Sequence, residues 1–281
     1  MHNFFFYALV VLLAANVSVY GALARRFQVE PARAHFLSVG QGDAELINSS
    51  GINFLIDAGP SSKTVQALDA VLGQERRTLD VVVLTHPNSD HVAGLIELAT
   101  RYDIRMVITN GIATQDSVDA QIADLVKARH IPVVFARQGM DIVFGQARFF
   151  VLWPGTDLAI HASVPERNLN DTAIAGVLLV QGARALFTGD ISSKVEARLA
   201  SMLAAVDLLK VAHHGSKTST SAGFLSAVQP TYAVIESGKN SYGLPAQDVL
   251  ARLRDVGAKI FRTDADGTVT FSVFNGAWIP D

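Results

Sequence analysis

The sequence predicts a mixed α/β domain, with two sheets sandwiched between helices and a single hydrophobic helix in front. Three observations point to it. Short apolar, β-branched runs alternate with amphipathic stretches from Ala32 onward. Three of the β-runs precede the first helical pattern, and strand-helix alternation follows. The first 24 residues carry no Lys, Arg, Asp or Glu. The 281 residues are 49% hydrophobic and 17% charged, which suits a chain with a large core and excludes a disordered one. The absence of cysteine excludes disulfides, thiolate metal sites and a Cys nucleophile. A net charge of −3 leaves no general basic excess, so a polyanion would have to meet a local patch.

In chain order, the apolar run over residues 4–23 is interrupted only by Asn16, Ser18, Tyr20 and Gly21. As a helix it would rise about 30 Å, one hydrocarbon thickness, and it lacks the polar stripe of a core helix. It predicts membrane insertion. Ala22-Leu23-Ala24 resembles a signal-peptidase site, so residues 1–24 read as an anchor or a cleaved signal. Arg25 and Arg26, just after the run, favour a cytoplasmic domain by the positive-inside rule. One compact domain, residues 32–281, follows. β-propensity and punctuation predict strands over 34–39, 44–48, 53–56, 80–85, 105–109, 131–135, 147–152, 173–180, 184–187, 208–212, 232–235, 259–261 and 268–273. Helices are expected over 63–74, 93–101, 117–128, 193–203, 221–227 and 246–255. The last lies between Pro245 and Gly257, the usual punctuation of a helix.

The chemistry gathers where apolar strands end. Val81-Val82-Val83-Leu84 runs into Thr85-His86-Pro87-Asn88-Ser89-Asp90-His91, which carries two His, an Asp and an Asn within six positions. Imidazole and carboxylate are the usual ligands of zinc, manganese or iron, and strand carboxyl ends share a crevice in α/β folds. By itself this turn could equally be a helix cap at Asp90 beside two polar His. Three more strand ends repeat the pattern: Asp57-Ala58-Gly59, Thr188-Gly189-Asp190 and His213-His214-Gly215. Four such ends together predict a metal site.

The series Asp57, His86-x-x-x-Asp90-His91, Asp190 and His213/His214 resembles the metallo-β-lactamase superfamily. More narrowly, Val39-Gly40-Gln41-Gly42-Asp43-Ala44, Lys210-Val211-Ala212-His213-His214-Gly215-Ser216 and Thr263-Asp264-Ala265-Asp266-Gly267 resemble the hydrolase domain of ComEC-type DNA-uptake proteins. The resemblance runs from about His35 to the C-terminus. It implies a four-layer αβ/βα sandwich, here expected as a stand-alone domain on one hydrophobic segment. Three positions depart from the pattern. Asn88 stands where the superfamily has the middle His of HxHxDH. No His occupies the third motif, Arg167-Asn168-Leu169-Asn170-Asp171-Thr172. Leu244 stands where the narrower family usually has His before Pro245.

By that resemblance, one metal position uses Asp90, His91, Asp190 and one of His213 and His214, and is intact. The other keeps His86 and Asp190 with the amides of Asn88 and Asn170. One firm divalent ion, zinc or manganese, is therefore expected, with a second weak or absent. The resemblance assigns catalytic work to Asp57, as an orienting group, and to Asp90 and Lys210. Ser216, Lys217 and Lys239 are expected to hold phosphate alongside Lys210. Ser219-Thr220-Ser221 would either donate further hydrogen bonds or cap a helix. The implied activity is metal-dependent hydrolysis of a DNA phosphodiester, outside the cytoplasmic membrane, with an uptake channel as partner. Two readings compete: hydrolysis of another phosphodiester, such as a cell-envelope component, and a catalytically reduced, membrane-tethered binding module, which Asn88 and Leu244 motivate.

Overall fold

The structure, a computed structural model, describes Asn16 and residues 31–73, 76–162 and 164–281. The chain divides into two units, Met1–Pro31 and Ala32–Asp281. The expected hydrophobic helix over 4–23 lies outside the described residues. Among the described residues, no helix is long and apolar enough to cross a membrane.

The second unit is built from β1 (Arg33–Phe36), β2 (Glu45–Ser49), β3 (Ile52–Ile56), β4 (Thr78–Leu79), β5 (Val81–Leu84), β6 (Asp103–Ile104), β7 (Val107–Thr109) and β8 (Val133–Phe135). Then come β9 (Asp141–Phe144), β10 (Ala147–Trp153), β11 (Ala175–Val180), β12 (Ala183–Phe187), β13 (Leu208–Lys210), β14 (Tyr232–Ile235), β15 (Lys259–Arg262), β16 (Val269–Phe274) and β17 (Ala277–Pro280). One sheet has the order β17-β16-β1-β2-β3-β5-β7-β8 and the other β15-β14-β13-β12-β11-β10-β9; β4 and β6 pair separately.

Side-chain alternation explains the layering. Phe36, Ile47, Phe54, Ile56 and Val83 of the first sheet face Phe149, Ala185, Phe187, Leu208 and Val234 of the second. Phe36 stacks on Phe187 at 5.9 Å between ring centroids, and Phe54 on Phe144 at 4.4 Å. The intervening residues Leu46, Leu55, Val82 and Leu84 point the other way, against Val65, Leu68, Leu95 and Leu98 of the helices Lys63–Leu72 and Gly94–Arg101. Leu186, Leu209, Ala233 and Ile235 do the same against the helices Ser193–Leu199, Ala222–Val228 and Gln247–Asp255. The result is the four-layer helix-sheet-sheet-helix sandwich.

Several boundaries move for physical reasons. The expected strand over 105–109 begins at Val107, because Asp103–Ile104 pairs with Thr78–Leu79 instead. The strand over 208–212 stops at Lys210, where His213 and His214 both take left-handed backbone, at φ 52° and 53°. The helix over 193–203 ends at Leu199 and continues as the 3-10 turn Ala200–Met202. Edge strands β9 and β17 were not expected. Their outward residues Val143 and Ile279 are apolar, so the alternating burial leaves no alternation in polarity to read.

Each sheet contains a parallel block: β3, β5, β7 and β8 in one, β12 to β15 in the other. Asp57 follows β3 and Thr85-His86 follows β5; Asp190 follows β12 and His213-His214 follows β13. The chemistry-bearing turns thus leave the carboxyl ends of strands in both sheets.

Candidate metal centre

Asp57 leaves β3 in a left-handed conformation, at φ 55°, which an Asp tolerates better than most residues. Its carboxylate turns back on the neighbouring strand end. Oδ1 accepts from Thr85 N and Oδ2 from Thr85 Oγ1, both at 2.7 Å. His91 Nδ1 also meets Asp57 Oδ2 at 2.7 Å. The helical turn Ser89–Val92 that carries His91 is seated by close backbone packing. Gly94 lies against the Ala58 carbonyl, where a Cβ would collide, and Gly42 lies equally close to the Asp90 carbonyl.

These bonds set the imidazole tautomers. The Thr85 hydroxyl gives its proton to Asp57, so at His86 Nδ1, 2.9 Å away, it can only accept. His86 therefore carries its proton on Nδ1 and leaves Nε2 bare. His91 donates Nδ1–H to Asp57. His214 donates Nδ1–H to the Glu236 carbonyl at 2.9 Å. The Nε2 atoms of His86 and His91 are buried without a hydrogen-bond partner, as is Asp190 Oδ1. Orphaned buried acceptors of this kind are costly unless a cation meets them.

Four imidazole Nε2 atoms converge on one oxygen. Asp190 Oδ2 lies 3.4 Å from His91 Nε2, 3.8 Å from His213 Nε2, 3.8 Å from His214 Nε2 and 4.0 Å from His86 Nε2. Two ligand atoms about 2.1 Å from one ion are separated by roughly 3 to 3.5 Å, so the spacing is close to that of a metal cage. His86, His91 and Asp190 place ligand atoms within 4.8 Å of one another, and so do Asp90, His91 and His214. Asp90, whose side chain is 34% exposed, brings Oδ2 to 3.2 Å from His214 Nε2. Asn88 has no capping bond; its amide donates to Asn170 Oδ1 at 2.8 Å. Asn170 Nδ2 in turn lies 3.2 Å from His213 Nε2.

Electrostatics give the same picture. Asp43, Asp57, Asp90 and Asp190 surround the imidazoles with only the Lys210 ammonium in their midst. Burial opposes charge on His91, but the carboxylates of Asp190, Asp57, Asp90 and Asp43 hold it well above the usual imidazole range. His214, also buried, is pushed up to about 10, chiefly by Asp190 and Asp43. Burial would raise Asp190, yet His91, His214 and Lys210 keep it well below the carboxylate range. His86 is held down to about 3 by burial and by His91, so it stays a neutral donor. Excess buried anion around neutral and proton-accepting imidazoles fits a divalent cation, whose binding would displace those protons.

Two clefts flank the centre. One, of about 1030 Å³, runs past Asn88 and Asp90 towards Thr114 and Arg167. The other, of about 600 Å³, runs past His213 and His214 towards Ser216, Lys217 and Leu244. Asn88, Asp90 and Tyr242 line both. Of the expected phosphate-holding residues, Lys217 is exposed in the second cleft, and Ser216 lines it while its hydroxyl bonds Thr218 Oγ1 at 2.9 Å. Lys239 is exposed but lines neither cleft.

Lys210 requires a correction. As the last residue of β13 it points inward and is 1% exposed. Its ammonium is bound to Asp43 Oδ2 and donates to the Gly189 carbonyl at 3.1 Å, so it balances buried charge and does not hold phosphate. The Ser219-Thr220-Ser221 run is also structural. Ser219 Oγ donates to the Ile191 carbonyl at 2.8 Å, and Ser221 caps the helix Ala222–Val228.

Sequence reasoning passed over three contributors. Thr85 couples His86 to Asp57, and nothing in its type or position signals that. Glu236 offers only its backbone carbonyl to His214. Asp43, 3.2 Å from His214 Nδ1 and 3.6 Å from His91 Nδ1, stood inside the Gly40-Gln41-Gly42-Asp43 motif and was visible as a charge beside two glycines.

Comparison with known proteins adds four findings. The profile of the metallo-beta-lactamase superfamily matches residues 37–237. Over 245 residues the chain is 31% identical to Competence protein ComA of Neisseria gonorrhoeae, covering 84% of this chain and 32% of that protein. Over 65 residues it is 34% identical to Exodeoxyribonuclease WalJ of Streptococcus pneumoniae, covering 23% of this chain and 24% of that one. Among solved structures, the metallo-beta-lactamase fold protein YhfI of Bacillus subtilis superimposes with a TM-score of 0.59 at 13% identity, covering 85% of this chain and all but 1% of that one (99%). The chain spans about a quarter to a third of the length of the curated relatives it matches.

Proposed function

This chain belongs to the metallo-beta-lactamase superfamily, and from that premise we propose that it is a divalent-metal-dependent phosphodiesterase that cleaves DNA in a competence-like uptake setting. The observation that carries the proposal is the convergence of four imidazole Nε2 atoms on Asp190 Oδ2, at 3.4 to 4.0 Å, between two open clefts. The similarity to ComA, a competence protein, and to WalJ, an exodeoxyribonuclease, supports the choice of DNA. Clefts that continue on both sides of the centre suit a polymer better than a small ester.

In this reading Asp90, His91, His214 and Asp190 hold the firmer ion. His86, His213 and Asp190, with the amides of Asn88 and Asn170, hold a weaker one, since neutral amide oxygens are poorer ligands than imidazoles. Zinc or manganese suits the nitrogen and carboxylate donor set. When bound there, a divalent ion would supply charge neutralisation for the phosphoryl group and lower the pKa of a water towards neutrality. Asp57 keeps the His91 and His86 donors aimed inward, directly and through Thr85. Lys217, exposed in the cleft that Asp90 also lines, attracts a phosphate. We extend the proposal to location: the apolar run over 4–23 tethers the domain to the membrane, on the outer face where incoming DNA arrives.

Residues 25–281 loaded with manganese or zinc should hydrolyse bis(p-nitrophenyl) phosphate and a DNA oligonucleotide, and Asp90→Ala should abolish both. Turnover of the small diester with intact DNA would favour another phosphodiester. No turnover with either metal, alongside retained DNA binding, would favour the tethered binding module.

A further inference from the structure

Tyr242 is 79% exposed, the most exposed large hydrophobic side chain among the described residues. It stands on a loop that is far from slack. Asn240 Oδ1 accepts from Tyr242 N at 3.0 Å and Leu244 N at 3.1 Å, while its Nδ2 donates to the carbonyls of Gly238 at 2.8 Å and Leu244 at 2.9 Å. Gly238 N donates to Gln41 Oε1 at 3.2 Å, tying the loop to the one before β2. The loop thus holds the ring at a fixed place in solvent. The ring also borders both clefts, sharing that place only with Asn88 and Asp90 of the metal centre.

The smaller cleft says which ligand the ring would meet. Its walls combine Tyr242, the apolar Leu244, the amides of Gln41 and Gln247, and the exposed ammonium of Lys217; Asp90 is its single carboxylate. An aromatic face, an apolar wall, amide groups and a cation beside a phosphate-directed centre match one nucleotide with its base unpaired. A volume of about 600 Å³ is ample for one.

We propose that this cleft is a nucleotide subsite in which Tyr242 stacks on an unpaired base while Lys217 takes the adjoining phosphate, so that single-stranded DNA is the preferred form of substrate. The inference rests on the phosphodiesterase reading and deepens it. Base stacking does not depend on which base is present, so the subsite confers strand-form preference without sequence preference.

The test compares manganese-loaded enzyme on oligo(dT) and on an oligomer of the same length whose sugars are abasic. Wild type should show kcat/KM roughly ten- to a hundred-fold higher for oligo(dT), mainly through KM, the range of one aromatic-base stack. Tyr242→Phe should keep that ratio and Tyr242→Ala should bring it near one. Fluorescence anisotropy with labelled oligo(dT) should show the same order of affinities without relying on turnover. Equal cleavage of both oligomers by wild type, or a ratio untouched in Tyr242→Ala, overturns the subsite while leaving the phosphodiesterase reading in place. Failure of wild type to cleave either oligomer overturns both.

Discussion

His91 donates Nδ1–H to Asp57 Oδ2 over 2.7 Å, in a place where both side chains are buried. That bond fixes which nitrogen of His91 faces the centre, and Thr85 extends the same control to His86. Asp57→Asn retains the shape but can offer its NH2 group to Nδ1, favouring the tautomer with Nε2 protonated. Metal affinity should fall about 10- to 100-fold, the usual cost of losing such an orienting group. Chelator competition checks it, with near-uniform circular dichroism showing that the fold persists. Unchanged affinity would mean that the carboxylate only fills space.

The adjacent imidazoles of His213 and His214 should be separable by metal content. Both Nε2 atoms lie 3.8 Å from Asp190 Oδ2, but His214 is grouped with Asp90 and His91, whereas His213 meets Asn170. His214→Ala should empty the firmer position, leaving less than one ion per chain after dialysis. His213→Ala should keep the firm ion and lose the second, weaker binding step in calorimetric titration. Identical stoichiometry in the two variants would sink the assignment of the pair to different positions.

Lys210 is paired with Asp43 where neither reaches water. Lys210→Met would leave the Asp43 carboxylate without its ammonium partner, beside Glu45, which burial and the Glu236 charge push upward, and Glu236, which burial and the Asp43 charge push up to about 8. Breaking one half of a buried ion pair costs about 3–5 kcal/mol. Urea denaturation of the metal-free protein should show a loss of that order. Adding Asp43→Leu to Lys210→Met should recover part of it, since an uncompensated charge is then no longer buried. A phosphate-binding lysine would instead leave stability unchanged and raise KM.

Much of this was legible in the sequence. The buried strands over 52–56, 81–84 and 183–187 announce themselves as apolar runs, and the ligand-bearing turns sit where those runs stop. What could not be read was direction. Lys210 and His213 are three residues apart, yet the first points into the sandwich and the second towards the cleft, because β13 ends between them and the backbone turns left-handed. Thr85 acts through Asp57, 28 positions away, and Asp43 through His214, 171 positions away, which no local pattern encodes. The edge strands β9 and β17 were missed because their outward positions carry the apolar Val143 and Ile279, so an alternation in burial is not mirrored by an alternation in polarity.

The acid limb of stability should carry the signature of His35. Buried on β1 with Nδ1 2.9 Å from Thr270 Oγ1, it is held down to about 4 by burial and then by the Arg33 guanidinium. The unfolded chain takes up this proton near pH 6.5, while the folded state resists it until about 4. Below 6.5 the unfolded state therefore binds more protons, and stability falls as pH falls. The contribution is complete above pH 6.5 and is lost down to about pH 4, a change on the order of 3 kcal/mol at 1.36 kcal/mol per unit. His35→Asn can keep a polar contact to Thr270 and has nothing to titrate in that window. Urea denaturation between pH 8 and 4 should give a wild-type curve that drops more steeply than that of the variant, the two separating only below pH 6.5. Parallel curves across the whole range would show that folding leaves the titration of His35 unshifted.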